Sequence, residues 1–376
     1  MRANMPRTTQ LHGYHAEHAK VTEFAGYDMP LWYTTTTEEH LAVRNSSGIF
    51  DVSHMGRFEV SGQAATEFLE GVVPTQVQQQ PAGKAFYTLL LNDRGGIIDD
   101  LIIMRLAQDR YMVVVNAANA ETDMRHLLAH TPSTGIDVKD LTPSTAMIAV
   151  QGPEAPRALK PLADLDLSQL KRFRCAETKV LGHPSIVSRT GYTGEDGFEV
   201  IIRGPTNENP GQALQIWEKL AATSTPCGLS SRDSLRLEAG FPLHGSDIDQ
   251  DTNPFQADLS WVISAGKGEY VGSDAIAGFS AGPPDVLRRG LVLDQGIPRH
   301  GFDVLDQSGP AGTVTSGTFS PVLRKGIALC RVRHDVSEVG SQVIVLVRES
   351  RQAGRIVKPP FYDERTYGWR RLSKGN

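Results

Sequence analysis

Two adjacent acids stand inside an apolar stretch of this chain. Asp99 and Asp100 interrupt the run from Ile97 to Met104. Because side chains alternate across a β-strand, the two carboxylates must face opposite sides. One can lie at the surface, while the other shares its face with apolar neighbours, where an unpaired charge is costly or takes up a proton. The doublet therefore predicts either a functional acid or a buried acid satisfied by backbone amides.

A third acid, Glu199, follows a turn rich in glycine. Residues 191–197 read GYTGEDG, and an Asp-Gly pair is typical of a β-hairpin. The turn alone does not explain Glu199, which lies inside the apolar run Phe198–Ile202. An inward carboxylate at this position can accept two N–H donors from a heterocycle. A hairpin with a purely structural acid is the alternative.

Three histidines recur every third residue, at His12, His15 and His18. On a helix they would span an arc of about 120°. This arc allows two of them at a metal ion but rarely three, and no cysteine or carboxylate completes the set, so we predict no metal site. The segment GKGEYVG at 266–272 has one residue too many for a dinucleotide fingerprint, and we predict a loop there.

Length and composition limit the class of protein. The 376 residues exceed what one hydrophobic core usually fills, so more than one domain is expected. A formal charge of -5 argues against nucleic acid as a partner. No apolar run is long enough to cross a membrane, and the first ten residues have no secretory pattern. Three widely spaced cysteines suggest no disulfide framework, which favours a cytoplasmic location.

The elements that must position these acids follow from hydrophobic periodicity. Strands are predicted at 86–91, 97–106 and 111–115, a hairpin at 186–203, and helices at 63–69, 119 onward, 212–222 and 231–239. This order indicates an α+β fold with antiparallel sheets rather than a Rossmann fold. A linker at 281–284 then leads into short β runs separated by glycine and proline, which predict a small all-β domain. From these patterns alone, a binding module fits as well as an enzyme.

Seven stretches together resemble the T-proteins of the glycine cleavage system. They occur in the family's order: FAGYDMP at 24–30, FDVSHMG at 50–56, GGIIDDL at 95–101, VVNAAN at 114–119, SRTGYTGEDGFE at 188–199, RDSLRLEAG at 232–240 and TSGTFSP at 315–321. The resemblance implies a three-domain cloverleaf, with two interleaved antiparallel α+β domains, one of them ferredoxin-like, over residues 1–280 and a C-terminal β-barrel over 285–370.

The resemblance also implies an activity. T-proteins are aminomethyltransferases that move a one-carbon unit from the aminomethyl-dihydrolipoyl arm of H-protein to tetrahydrofolate. Ammonia leaves and 5,10-methylenetetrahydrofolate forms. In the family the second acid of the doublet, here Asp100, faces the folate amines as the catalytic residue. The positions that match the family's folate pocket are Met55, Tyr87, Val115, Asn116, Tyr192, Glu199, Arg232 and Trp261.

Departures from the family pattern are small, and two relatives supply alternatives. The family often has Trp at the position of Tyr27, and commonly reads GARD where this chain reads SSRD at 230–233. A tetrahydrofolate-dependent demethylase of a small methylated substrate is the main alternative function. A folate-binding factor of iron–sulfur assembly is a second, but its family motif has a cysteine where this chain has Glu269.

Overall fold

The structure is a computed structural model that describes residues 5–348 and 350–371. Within them the chain forms two compact units. The first comprises residues 5–70, 77–88 and 101–232, and the second comprises residues 71–76, 89–100 and the described part of 233–371. Each unit is therefore assembled from three separate stretches of sequence.

Helices and strands alternate through most of the chain before a final run of strands. In chain order they are β1 (Arg7–Thr8), α1 (His12–His18), β2 (Lys20–Phe24), β3 (Tyr27–Trp32), α2 (Thr36–Asn45), β4 (Gly48–Asp51), β5 (Gly56–Ser61), α3 (Ala65–Val72), β6 (Lys84–Leu91), β7 (Ile97–Ala107), β8 (Arg110–Val115), α4 (Ala120–Ala129), β9 (Asp137–Asp140), β10 (Thr145–Gln151), α5 (Ala155–Leu159), β11 (Cys175–Val180), β12 (His183–Ser188), β13 (Gly197–Arg203), α6 (Gly211–Ala221), β14 (Thr225–Pro226), α7 (Leu229–Ala239), α8 (Ser273–Phe279), β15 (Val286–Leu293), β16 (Asp303–Asp306), β17 (Gly309–Ser320), β18 (Lys325–Arg333), β19 (Gln342–Val347) and β20 (Ser350–Val357).

A six-stranded sheet forms the main core of the first unit, in the order β11-β12-β13-β10-β4-β14. Its central strand β10 is buried along all seven residues, which explains its apolar sequence TAMIAVQ. Helix α6 covers the sheet through Ala213, Ile216, Trp217 and Leu220, all fully buried at helical spacing. These contacts hold β13, the strand that carries Glu199.

A second sheet has the order β6-β7-β8-β5-β9, and a small third sheet has the order β1-β3-β2. Strands β5 and β8 are antiparallel, with Gly56 opposite Val115. A Cβ atom on Gly56 would lie 2.5 Å from a methyl group of Val115, so only glycine allows this close approach. The pairing brings Met55, just before β5, to the same strand end as Asn116, just after β8.

The last six strands close into a barrel in the order β15-β18-β17-β16-β19-β20. Its interior is apolar and includes Leu291, Val314, Ala328 and Val345. A bulge between Val314 and Ser316 shifts the register of β17 against β18. The barrel and the mixed sheets confirm the predicted α+β fold class. We propose the division into residues 1–280 and 285–370, which leaves all the barrel strands on the C-terminal side.

Most predicted elements lie within three residues of their observed bounds, and two details differ. The helix predicted from 119 onward begins at Ala120, with Asn119 at the N-cap position but no capping hydrogen bond from the Asn119 side chain. Helix α8, just before the predicted linker, has no counterpart among the predicted elements. In residues 5–348 and 350–371 no helix is long and apolar enough to cross a membrane.

Candidate active site

Glu199 lies within the six-stranded sheet rather than at its edge. On β13 it pairs with Ala149 of β10 on one side and with Ser188 of β12 on the other. The residue is 8% exposed. The Thr190 hydroxyl donates to Oε2 of Glu199 at 2.5 Å. Burial raises the pKa of Glu199, while the hydrogen bond from Thr190 and the charge of Arg232 oppose this rise.

Arg232, in the first turn of α7, brings a positive charge to Glu199. Its guanidinium carbon lies 5.0 Å from the ring centroid of Tyr192 and 6.0 Å from that of Phe50. Burial lowers the pKa of Arg232, and Glu199 and Tyr192 oppose this shift. Within the described residues, the buried Nη1 of Arg232 has no hydrogen-bond partner. The three predicted residues Tyr192, Glu199 and Arg232 therefore form one cluster with an unused donor.

The turn that carries Tyr192 is fixed by residues far away in sequence. Arg44 of α2 donates through Nη1 to the carbonyl of Thr193 at 2.8 Å and pairs with Glu195 at 3.0 Å, both side chains being fully buried. Gln151 accepts from the Thr193 hydroxyl at 2.9 Å and donates to the carbonyl of Thr190 at 3.1 Å. This bonding limits the movement of Tyr192 relative to Glu199.

His54 and Met55 belong to a second segment of the first unit. His54 is 3% exposed, and burial, opposed by Asp51 and aided by Arg232, lowers its pKa to about 4. Met55 is half-buried, and its carbonyl accepts from Nη1 of Arg57 at 2.5 Å. Arg57 also donates to Ser53 at 2.9 Å. The fully buried Arg57 side chain thus sets the backbone path before β5.

The remaining predicted positions differ in exposure. Tyr87 on β6 and Asn116 after β8 are half-buried, and Val115 is fully buried. Trp261 is 66% exposed, within a short 3-10 helix at Ser260–Val262. Trp261 belongs to the second compact unit, and the first three positions belong to the first.

The acidic doublet lies on β7 with the alternation that its sequence predicts. Asp99 is fully buried, and Asp100 is half-buried. Both belong to the second compact unit, at the point where β7 passes into the first. Asp99 is therefore the acid on the more buried face of β7, and Asp100 is the acid that remains accessible.

Of the three repeated histidines, His15 is held by a buried network of side chains. Nε2 of His15 lies 2.9 Å from Asp51 and Nδ1 lies 2.7 Å from the Tyr33 hydroxyl. Thr9 donates to the same Asp51 oxygen at 2.7 Å. Across residues 5–348 and 350–371 no group of three or more histidines, cysteines or acids is placed to hold a metal ion. Sequence reasoning missed this network because its members are far apart in the chain.

Thr190, Ser188 and Arg44 are further residues of the site that sequence reasoning did not single out. Thr190 and Ser188 were visible as two hydroxyl residues directly before the glycine-rich turn. Arg44 gave no local signal, because its partner Glu195 is 151 positions later.

Comparison with known proteins identifies the class to which this fold and site belong. Residues 11–267 match the GCVT N-terminal domain, and residues 288–363 match the glycine cleavage T-protein C-terminal barrel domain. The chain belongs to the glycine cleavage T-protein family.

Relatives with a known name define the activity. An aminomethyltransferase of Thermus thermophilus is 44% identical over 314 residues, which cover 84% of this chain and 87% of that protein. One from Nostoc sp. is 38% identical, covering 92% of each chain. The crystal structure of the glycine cleavage system aminomethyltransferase T from Bartonella henselae gives a TM-score of 0.89 at 35% identity, covering 95% of this chain and 98% of that one. This chain is thus an enzyme, an aminomethyltransferase of the glycine cleavage system, and the demethylase alternative is not favoured.

Proposed function

We propose that this aminomethyltransferase takes its one-carbon unit from the aminomethyl-dihydrolipoyl arm of H-protein and delivers it to tetrahydrofolate. The carbon–sulfur and carbon–nitrogen bonds of the aminomethyl group break, and two carbon–nitrogen bonds to the folate form. The two hydrogens lost from the folate amines go to the departing thiolate and to ammonia. The observation that carries the proposal is the buried cluster of Glu199, Arg232 and Tyr192.

The residues of this cluster fit a flat, nitrogen-rich heterocycle. Glu199 is a buried acceptor, Arg232 has a buried donor without a partner in the described chain, and Tyr192 adds an aromatic wall. A carboxylate that accepts two parallel N–H bonds binds strongly and with defined orientation. The amino-pyrimidine edge of a pterin supplies such a pair of donors.

Three of the proposed pocket residues have a defined task in binding. Glu199 accepts from the pterin edge, and Tyr87 and Tyr192 pack against the flat ring. The other proposed contacts are Met55, Val115, Asn116, Arg232 and Trp261. Bound tetrahydrofolate, acting as a co-substrate, supplies the two amines that take up the carbon.

Asp100 is the proposed catalytic residue. Its carboxylate would orient a folate amine and stabilise the positive charge that develops on the carbon as ammonia departs. A proton must also move between amine and leaving group, and Asp100 can serve as its acceptor or donor. We rank positioning and electrostatic stabilisation as its main contribution.

Substitution of Glu199 tests the binding part of the proposal. Glu199→Ala removes two charge-assisted hydrogen bonds and should weaken tetrahydrofolate binding by about 2–4 kcal/mol. Calorimetry under anaerobic conditions measures this directly. Glu177→Ala is a matched control, because Glu177 is an exposed acid on β11 of the same sheet. Unchanged affinity of Glu199→Ala would remove Glu199 from the pocket.

The donor is tested by a competition between substrate classes. Steady-state assays should compare aminomethyl-loaded H-protein with free methylated amines and sulfonium compounds. We expect turnover with loaded H-protein and none with the free compounds. Preferred turnover of a free methylated compound would support the demethylase instead.

We also propose a cytoplasmic location for the protein. The three cysteine thiols are free and buried, which fits a reducing compartment.

A further inference from the structure

Two hydroxyl groups connect strand β12 to the carboxylate of Glu199. The hydroxyl oxygens of Ser188 and Thr190 lie 2.7 Å apart, and Thr190 donates to Oε2 of Glu199 at 2.5 Å. Ser188 is fully buried and Thr190 is 7% exposed. We propose that Thr190 is a positioning residue for folate binding, which fixes the orientation of the Glu199 carboxylate through this hydroxyl relay. This inference rests on the proposed role of Glu199.

The direction of the relay follows from the number of hydrogens. Thr190 has one hydroxyl hydrogen, and an ionised carboxylate can only accept. That hydrogen is therefore committed to Glu199, so Ser188 must donate to Thr190. The contact from the Ser188 hydroxyl to the carbonyl of Glu199, at 3.5 Å, is the longer alternative for the same Ser188 hydrogen. Both donors thus act in sequence toward one oxygen of Glu199.

Orientation matters at this position because water is largely excluded. A buried carboxylate without a donor is expensive, and the relay supplies one that is charge-assisted. Because Thr190 holds one oxygen of the Glu199 carboxylate, the carboxylate stays in the orientation that two parallel N–H donors of a ligand require. The groups that act electrostatically on Glu199 are Thr190 from its own hairpin and Arg232 from α7, and both oppose the rise in its pKa that burial causes.

The backbone around Thr190 is held independently of its side chain. Nε2 of Gln151 donates to the carbonyl of Thr190 at 3.1 Å, and Ser188, at the end of β12, pairs with Glu199 of β13. Loss of the Thr190 hydroxyl should therefore leave the turn in place. A defect in folate binding can then be assigned to the relay.

The first test compares two substitutions at one position. Thr190→Val keeps the shape but removes the donor, and Thr190→Ser keeps the donor. We expect Thr190→Val to weaken tetrahydrofolate binding about 10-fold and to raise its KM equally, with kcat within about twofold. Thr190→Ser should restore most of the affinity. A Thr190→Val enzyme that binds folate normally, or a Thr190→Ser enzyme as weak as Thr190→Val, would overturn the proposal.

Ser188→Ala is the second variant, and it keeps the test decisive should Thr190→Val fold poorly. It removes the upstream donor and should weaken binding about threefold, because the Thr190–Glu199 bond remains. Ser185→Ala is its matched control. Ser185 is buried on the same strand, but its hydroxyl donates to the carbonyl of His183 at 3.0 Å. Equal effects of Ser188→Ala and Ser185→Ala on folate affinity would count against the relay.

A double-mutant cycle shows whether Thr190 acts through Glu199. In a Glu199→Ala background, Thr190→Val should have no further effect on folate affinity. An additional 10-fold loss in that background would mean that Thr190 acts by another route, and the inference would fall. If Thr190→Val binds folate normally and Glu199→Ala binds it weakly, the relay is excluded but the proposed pocket is not. If Glu199→Ala binds folate normally, both the proposed pocket and the role of Thr190 are excluded.

Discussion

The guanidinium group of Arg232 lies over the ring of Tyr192, with its central carbon 5.0 Å from the ring centroid. Arg232 also acts on Glu199, since it opposes the rise in the pKa of that acid, and Tyr192 lies on the turn that precedes Glu199. The arrangement joins α7 to the hairpin of β12 and β13. A planar cation next to an aromatic ring is a contact that lysine does not reproduce.

Arg232→Lys should therefore impair the site although it keeps the charge. We expect tetrahydrofolate affinity to fall about 10-fold, because the contact of the guanidinium with the Tyr192 ring and the unused Nη1 donor are both lost. Calorimetry measures the affinity, and Arg157→Lys, at a side chain that is 87% exposed, is the control. An Arg232→Lys enzyme of normal affinity would show that Arg232 contributes only its charge.

Glu199→Gln should stabilise the folate-free protein while it weakens folate binding. The pKa of Glu199 is raised above its ordinary value of 4.5, mainly by burial. The folded state therefore holds this proton more tightly than the unfolded state, and stability falls as pH rises from 4.5 through the raised value. At neutral pH the neutral amide avoids this loss, so we expect a higher free energy of unfolding. Chemical denaturation at pH 7.5 without folate checks the sign, and a less stable variant would contradict it.

Asp51 should control stability in acid. Burial alone would raise its pKa, but hydrogen bonds from His15, Ser53 and Thr9 and the His15 charge lower it from 3.8 to about 2. This stabilisation is complete above pH 3.8 and is lost as pH falls toward 2. The shift corresponds to about 2 kcal/mol.

Asp51→Asn should thus unfold more easily at pH 7 and show a smaller further loss of stability between pH 4 and 2. Denaturation midpoints across this range provide the measurement. Asp166→Asn, at an exposed loop acid whose pKa is lowered by Ser168, is the comparison and should change stability little. If the denaturation midpoints of Asp51→Asn change with pH in the same way as those of the unmodified protein, the network around Asp51 has no role in stability at acid pH.

Substitutions of the two acids of β7 should have different effects, one mainly on catalysis and the other mainly on stability. Asp100→Asn keeps shape but removes the charge, and kcat should fall roughly 10²–10³-fold with folate affinity little changed. Asp99 is fully buried, so Asp99→Asn should mainly lower the melting temperature and cost far less in kcat. Parallel kinetics and thermal melts distinguish the two. Equal losses of kcat would indicate that the role of the doublet is structural. A larger loss of kcat for Asp99→Asn would indicate that Asp99, not Asp100, faces the substrate.

The parts of the fold that could be predicted are those with a local signal. Strand β7, the hairpin of β12 and β13, and helix α6 follow from periodicity and turn residues within short windows. The contacts that hold the site do not, because their partners are remote. Asp51 is 36 positions from His15, and Arg44 is 149 positions from Thr193. The alternation of Asp99 and Asp100 could be predicted, but which of them is buried required the packed structure.

A single-turnover experiment tests whether this enzyme transfers the aminomethyl carbon of H-protein to tetrahydrofolate. H-protein loaded with a ¹³C-labelled aminomethyl group is mixed with the enzyme, with and without tetrahydrofolate, and ammonia and labelled folate are measured together. We predict that one ammonia and one labelled 5,10-methylenetetrahydrofolate form per loaded arm, and that ammonia release is fast only when tetrahydrofolate is present. Ammonia release at the same rate without tetrahydrofolate, or label absent from the folate, would show that tetrahydrofolate is not the acceptor of the one-carbon unit.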